Sequence, residues 1–159
     1  MSVVSVECIG EVSYLPIIPS LEDAEAHDNF FIHKSTSHKS STILFDPVIK
    51  SGIVQFEILN IKDTQVVGIA DGSITFKPDD HMWNYDKRKT AFYNIKGEIS
   101  QNGNFSKVNS ILKNEHRLKM EVRFDSDSVF QVAKFERISN PQAKHGFFSS
   151  KFEWEGEVD

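Results

Sequence analysis

The sequence predicts an all-β protein, a two-sheet antiparallel β-sandwich of jelly-roll type. Three observations predict it. Short segments rich in β-branched and aromatic residues recur at roughly ten-residue intervals, with hardly any helical periodicity between them. Within the segments apolar residues alternate. In Ile53-Val54-Gln55-Phe56-Glu57-Ile58 the side chains of Val54, Phe56 and Ile58 fall on one face and those of Gln55 and Glu57 on the other, as a half-buried strand requires. Finally, 13 phenylalanines, most of them inside such segments, suit a core enclosed between sheets.

A chain of 159 residues reads as one domain, residues 1–159, large enough to bury a core without metal or disulfide staples. Cys8 is the only cysteine, so an internal disulfide and a cysteine-based zinc site are both excluded. The net charge of −5, with both signs mixed along the chain, argues against nucleic acid as a partner, because phosphate contacts call for a basic surplus or stripe. No apolar run approaches the roughly 20 residues that cross a bilayer. Glu7 and Glu11 break up the N-terminal apolar residues, so no secretory leader is expected and the expected location is cytoplasmic.

Taken in order, residues 3–9 read as a strand, and Pro16 and Pro19 mark an extended edge segment. Residues 20–26 read as one helical turn capped by Ser20. Phe30-Phe31-Ile32 and Thr42-Ile43-Leu44-Phe45 are strands, the second ended by Asp46-Pro47. Gly52 opens the central strand, Lys62-Asp63-Thr64 is read as a turn, and residues 66–71 as the next strand. Asp71-Gly72 turns the chain into a long polar loop that ends before the strand Thr90-Ala91-Phe92-Tyr93. Asn102-Gly103 is a hairpin dipeptide suited to positive φ. Residues 118–124 alternate cleanly, 125–128 are read as a turn, 129–138 as the returning strand and 147–154 as a last strand.

The order of these segments resembles the SPRY family. Gly52-Ile53-Val54-Gln55-Phe56-Glu57-Ile58 is similar to its "sGxxyWEV" strand, with Phe56 where the family usually has Trp. Val67-Gly68-Ile69-Ala70 resembles its "vGia" strand. Thr90-Ala91-Phe92-Tyr93, then Gly97-Glu98-Ile99 and Asn102-Gly103, resembles the run that follows, and Arg117 to Val122 and Val129 to Phe135 its later strands. The likeness spans about residues 42–138. It implies a bent two-sheet fold whose loops bind a protein or peptide, without catalysis.

No Gly-x-Ser-x-Gly elbow, supported Cys–His pair or phosphate-binding glycine loop is found, so no enzyme and no cofactor are expected. Asp79-Asp80-His81 has ligand chemistry, but neighbouring side chains of an extended loop diverge, and no metal is expected there. The loop over residues 71–89 is the candidate partner-binding site. Asp71, Lys77, Asp80, His81, Trp83, Tyr85 and Arg88 are its expected contact residues, with Tyr85 and Arg88 exposed. Trp, Tyr and Arg anchor interfaces because each buries a large area and keeps a polar handle. Two further expectations belong to other classes: a structural subunit of a multiprotein assembly, and a carbohydrate-binding jelly roll in which Trp83 or Tyr85 stacks on sugar.

Overall fold

The computed structural model describes residues 8–94, 98–101, 103–106 and 118–139. The expected strand at 147–154 and most of that at 3–9 lie outside them. The described chain is all-β and antiparallel. Two strands dominate it, β6 (Ile53–Asp71) and β10 (Leu118–Ile138), paired from Ile53↔Ile138 to Asp71↔Leu118. On the far edge of β10 three strands follow one another. They are β5 (Ser41–Ile49) against its first arm, β4 (Phe30–His33) at its middle and β1 (Cys8–Glu11) at its end. The far edge of β6 carries β7 (Thr90–Asn94), and β8 (Ile99–Gln101) and β9 (Asn104–Ser106) continue outward. β2 (Leu15–Ile17) borders β5, and β3 (Ala24–His27) pairs with β4. Hydrogen bonding therefore links all ten strands into a single curled sheet.

Two expected turns are bends in the long strands. Lys62-Asp63-Thr64 does not end a strand, and residues 125–128 do not reverse the chain. Between the pairs Phe124↔Thr64 and Val129↔Lys62, residues 125–128 of β10 stand against the single residue Asp63 of β6. Such an excess on one strand breaks the ladder locally and bends the sheet. Asp63 (φ 52°) and Asp127 (φ 63°) both adopt the left-handed conformation, which Asp tolerates better than most residues. The Ser128 hydroxyl donates to the Asp63 carbonyl at 3.0 Å, the Thr64 N–H to Asn60 Oδ1 at 3.1 Å, and Lys62 pairs with Asp127. Turn chemistry is present at both places, and the sheet uses it to fold over.

Folding over encloses the main core. Phe45 of β5 meets Phe56 of β6 from the other arm at 5.3 Å between ring centroids. Phe31 stacks on Phe130 at 4.9 Å and meets Phe45 edge-on at 5.3 Å. Ile43, Val122, Val132 and Phe135 complete the cluster. Aromatic pairs at these separations add to the stabilisation from buried area.

Other differences are local. Ser20 does begin a turn, with its carbonyl accepting from Asp23 N–H at 3.2 Å and Ala24 N–H at 3.1 Å, but the chain then enters β3 rather than a helix. Cross-strand pairing with β4, closed by Asp28 at φ 53°, outweighs so short a helical nucleus. β5 runs on through a cis Asp46–Pro47 bond to Ile49, and the missing Pro47 N–H falls in a register shift against β10. A hairpin joins β8 to β9 where one was read: Gln101 pairs with Asn104, and Gly103 has φ 77°, while Asn102 lies outside the described residues.

If left-handed backbone at Asp63 holds the bend, Asp63→Val should cost about 1–3 kcal/mol while Asp63→Gly stays near parental stability. Urea denaturation of the two variants measures the difference, and equal midpoints would show that φ at this position does not matter. Phe130→Ala, in the fully buried centre, is expected to cost about 3–5 kcal/mol in the same assay.

Candidate functional site

The loop over residues 71–89 lies across the outer face of the first sheet arm. Its ends are tied together, with Asp71 N–H donating to the Lys89 carbonyl at 2.8 Å beside the Ala70↔Thr90 pair. From the loop, Ile74, Phe76 and Met82 pack onto Leu44, Val66, Ala70 and Phe92 of the sheet and form a second core. β5 is consequently covered on both faces, and its residues from Ser41 to Phe45 are all buried. A strand covered on both faces reads as a run rather than an alternation.

Aspartates shape the loop. Asp71 Oδ1 accepts from Ser73 N–H at 2.9 Å, Asp80 Oδ2 from Lys77 N–H at 2.8 Å and Asp86 Oδ1 from Arg88 N–H at 3.0 Å. Asp79, at φ 62°, reaches outside the loop and accepts from Ser40 N–H at 2.9 Å. These side chains stand in for the backbone partners that irregular chain lacks.

Tyr85 braces the centre. Its ring packs edge-on against Phe76 at 5.0 Å, and its hydroxyl donates to the Thr75 carbonyl at 2.9 Å and lies against the Asp80 carboxylate. Burial first, and then the bond to Asp80, push the phenol up to about 12. At Asp80 burial acts to raise the carboxyl; the Tyr85 hydroxyl, the Lys77 N–H and the nearby cations outweigh it and hold the group below the usual range. Tyr85, expected to be exposed, is thus a half-buried strut, because a phenol with a packed ring and a bonded hydroxyl has little left to offer outward.

Met82, Trp83 and Asn84 form a short 3₁₀ turn that sends Met82 inward and leaves Trp83 48% exposed. The His81 ring stacks parallel to the indole at 4.6 Å, and the Arg123 guanidinium lies 4.9 Å from the indole centroid. Arg123 is only 8% exposed and donates to Ser40 Oγ at 2.8 Å. Trp83, His81, Arg123, Ser40 and Asp79 therefore form one connected group at the junction of the loop with β5 and β10.

Of the expected contact residues, Lys77, Asp80, His81, Trp83 and Tyr85 come together here. Arg88 is exposed as expected, but its guanidinium is engaged by Asp86, at 2.8 Å, whose carboxyl its hydrogen bonds hold at about 2. Asp71 sits at the other end of the arm, where it pairs in register with Leu118, and with Gly72 and Ser73 it lines a cleft of about 590 Å³ against Pro47, Val48 and Lys50. Arg123 and Ser40 were missed. Alternation places Arg123 on the polar face of β10, and nothing in that strand signals that a loop distant in sequence covers it.

Asp79, Asp80 and His81 turn to different partners, and among the described residues no group of three or more His, Cys, Asp or Glu side chains converges on a common point. No described helix is long and apolar enough to cross a membrane. Comparison with models of protein families, with curated proteins and with solved structures finds no match.

Because the Tyr85 phenol titrates above the value of 10.0 normal for tyrosine, the stability it lends is complete below about pH 10 and is lost as pH rises towards 12. Alkaline titration followed by phenolate absorbance should show a tyrosine with a midpoint near 12, absent from Tyr85→Phe. A variant titrating identically to the parent would remove the strut from the description of the loop.

Proposed function

We propose that this chain is a non-catalytic, cytoplasmic interaction module of SPRY type that takes a segment of a partner protein on the surface around Trp83. The observation that carries the reading is the state of Trp83. Its loop buries Ile74, Phe76 and Met82, yet leaves this larger side chain half in solvent on a braced support. An anchor held in place before binding loses little conformational freedom on association, so more of its contact energy appears as affinity. The SPRY-like order of segments supports the same use of loops, and the reading assigns the chain no reaction.

A second reading, a subunit of a larger assembly, has its own observation. Among the described residues β7 covers β6 only from Val66 to Ala70, so the edge over residues 53–63 has no strand beside it. Leu59 (54% exposed) and Ile61 (48%) lie along it. Open edges with apolar side chains are surfaces that other chains cover.

Affinity purification from the native cell separates the two. Trp83→Ala, with an unchanged thermal melt, is expected to lose a defined partner that Leu59→Lys/Ile61→Lys retains. The opposite pattern would move the function to the strand edge.

A further inference from the structure

Resting on the reading just given, we infer that the segment taken at Trp83 is acidic: a stretch of a partner protein in which carboxylates flank an aromatic or long aliphatic side chain. The chain carries a net charge of −5, but the two loops that meet at Trp83, residues 34–40 and 71–89, reverse that balance. In them Lys34, Lys39, Lys77, Lys87, Arg88 and Lys89 outnumber Asp71, Asp79, Asp80 and Asp86. Every one of those carboxylates accepts a hydrogen bond from within the protein: Asp71 from Ser73, Asp79 from Ser40, Asp80 from Lys77 and Tyr85, Asp86 from Arg88.

The cations divide differently. Lys34 donates to the Leu21 carbonyl at 2.8 Å, Lys89 to Ser73 Oγ at 3.0 Å, and Arg88 is held by Asp86. Lys87 lays its stem against Gly103 in the β8–β9 hairpin, at the other end of the strand order from β5. Lys39 and Lys77 are exposed, and among the described residues their ammonium groups make no hydrogen bond or close ion pair; Asp23 and Asp80 are the carboxylates their charges act on, and both of those also accept hydrogen bonds from within the protein. One contact ties the segments that carry the two lysines to the group around Trp83. Asp79, two residues after Lys77, accepts from the N–H of Ser40, which follows Lys39, and the Ser40 hydroxyl accepts from the Arg123 guanidinium that lies against the indole. The exposed indole, with a buried guanidinium against it, is thus tied to two segments that each carry an exposed lysine. An apolar side chain of the partner covers the indole, its neighbouring carboxylates meet Lys39 and Lys77, and complementary charge adds rate and selectivity to the apolar contact. Two such lysines on a chain of net negative charge do not make the basic track that a phosphate backbone needs, so a protein segment is favoured over nucleic acid.

Selection from a random-peptide display library on the immobilised full chain tests the inference, with Trp83→Ala and Lys39→Glu/Lys77→Glu in parallel and folding checked by thermal melt. The expected result is enrichment of acidic peptides centred on an aromatic or aliphatic residue. Enrichment should fall by about tenfold or more on either variant, and binding of the selected peptides should weaken as salt is raised. Trp83-dependent enrichment of neutral or basic peptides would overturn the acidic partner and leave loop recognition standing. No Trp83-dependent enrichment would overturn both. Fluorescence quenching by oligo-dT at physiological salt that is lost in Trp83→Ala, without acidic-peptide enrichment, would replace the protein segment with nucleic acid.

Discussion

The pairing of β6 with β10 is the constraint on which the rest of the structure depends. Both strands are longer than a flat, twisted sheet of this size usually contains. Kept straight, they would leave Val54, Phe56 and Ile58 on one arm and Ile43, Phe45 and Val122 on the other facing water. Bending both strands at the same level turns these faces toward each other, and Phe45, Phe56, Phe130 and Phe31 then meet in one cluster. The bend needs extra residues in one strand and left-handed backbone in both, and residues 125–128, Asp63 and Asp127 supply them. β5, β4 and β1 can follow one another along β10 because the bend gives that strand edges of different orientation.

A sheet curled in this way encloses its inner face and leaves the outer one uncovered. Over the first arm the loop at residues 71–89 covers it, with Ile74, Phe76 and Met82 as the buried side and aspartate-capped turns as the frame. Covering that face also decides the fate of Arg123. In a half-solvated sheet it would extend into water; here it lies under the loop, bonded to Ser40 and against Trp83. A guanidinium tolerates such a position better than an ammonium, being more weakly hydrated and able to lie flat on an aromatic face. The candidate site is thus a product of the second core.

What could be read from the sequence follows from how local each signal is. Alternation placed Val54, Phe56 and Ile58 on the buried side, and Asn102-Gly103 marked a hairpin, because both depend on neighbouring residues alone. Asp63 and residues 125–128 carried true turn chemistry, but whether a left-handed Asp reverses a chain or bends it depends on the partner strand, which lies far away in sequence. The loop itself was legible as a long connection rich in aromatic and charged residues, and Trp83 and His81 lie stacked together within it. The roles within it were not. Tyr85 became a strut through Phe76, Thr75 and Asp80, and Arg123 joined through a crossing that no periodicity in β10 encodes.

Trp83 itself shows how these levels meet. In a 3₁₀ turn successive side chains point in different directions, so when Met82 enters the second core its neighbour must face away from it. Burying a large apolar side chain completely would contribute about 1.5–3 kcal/mol, part of which the fold forgoes by leaving the indole half in solvent. A cation beside the ring returns about 0.5–2 kcal/mol, the upper end applying when the cation is desolvated as Arg123 is. The indole is therefore fixed from below while part of its apolar surface stays wet, and that remaining surface is the part a partner can still remove from water. An aromatic can thus be fixed without being buried, and in this chain the buried guanidinium and the stacked imidazole do the fixing.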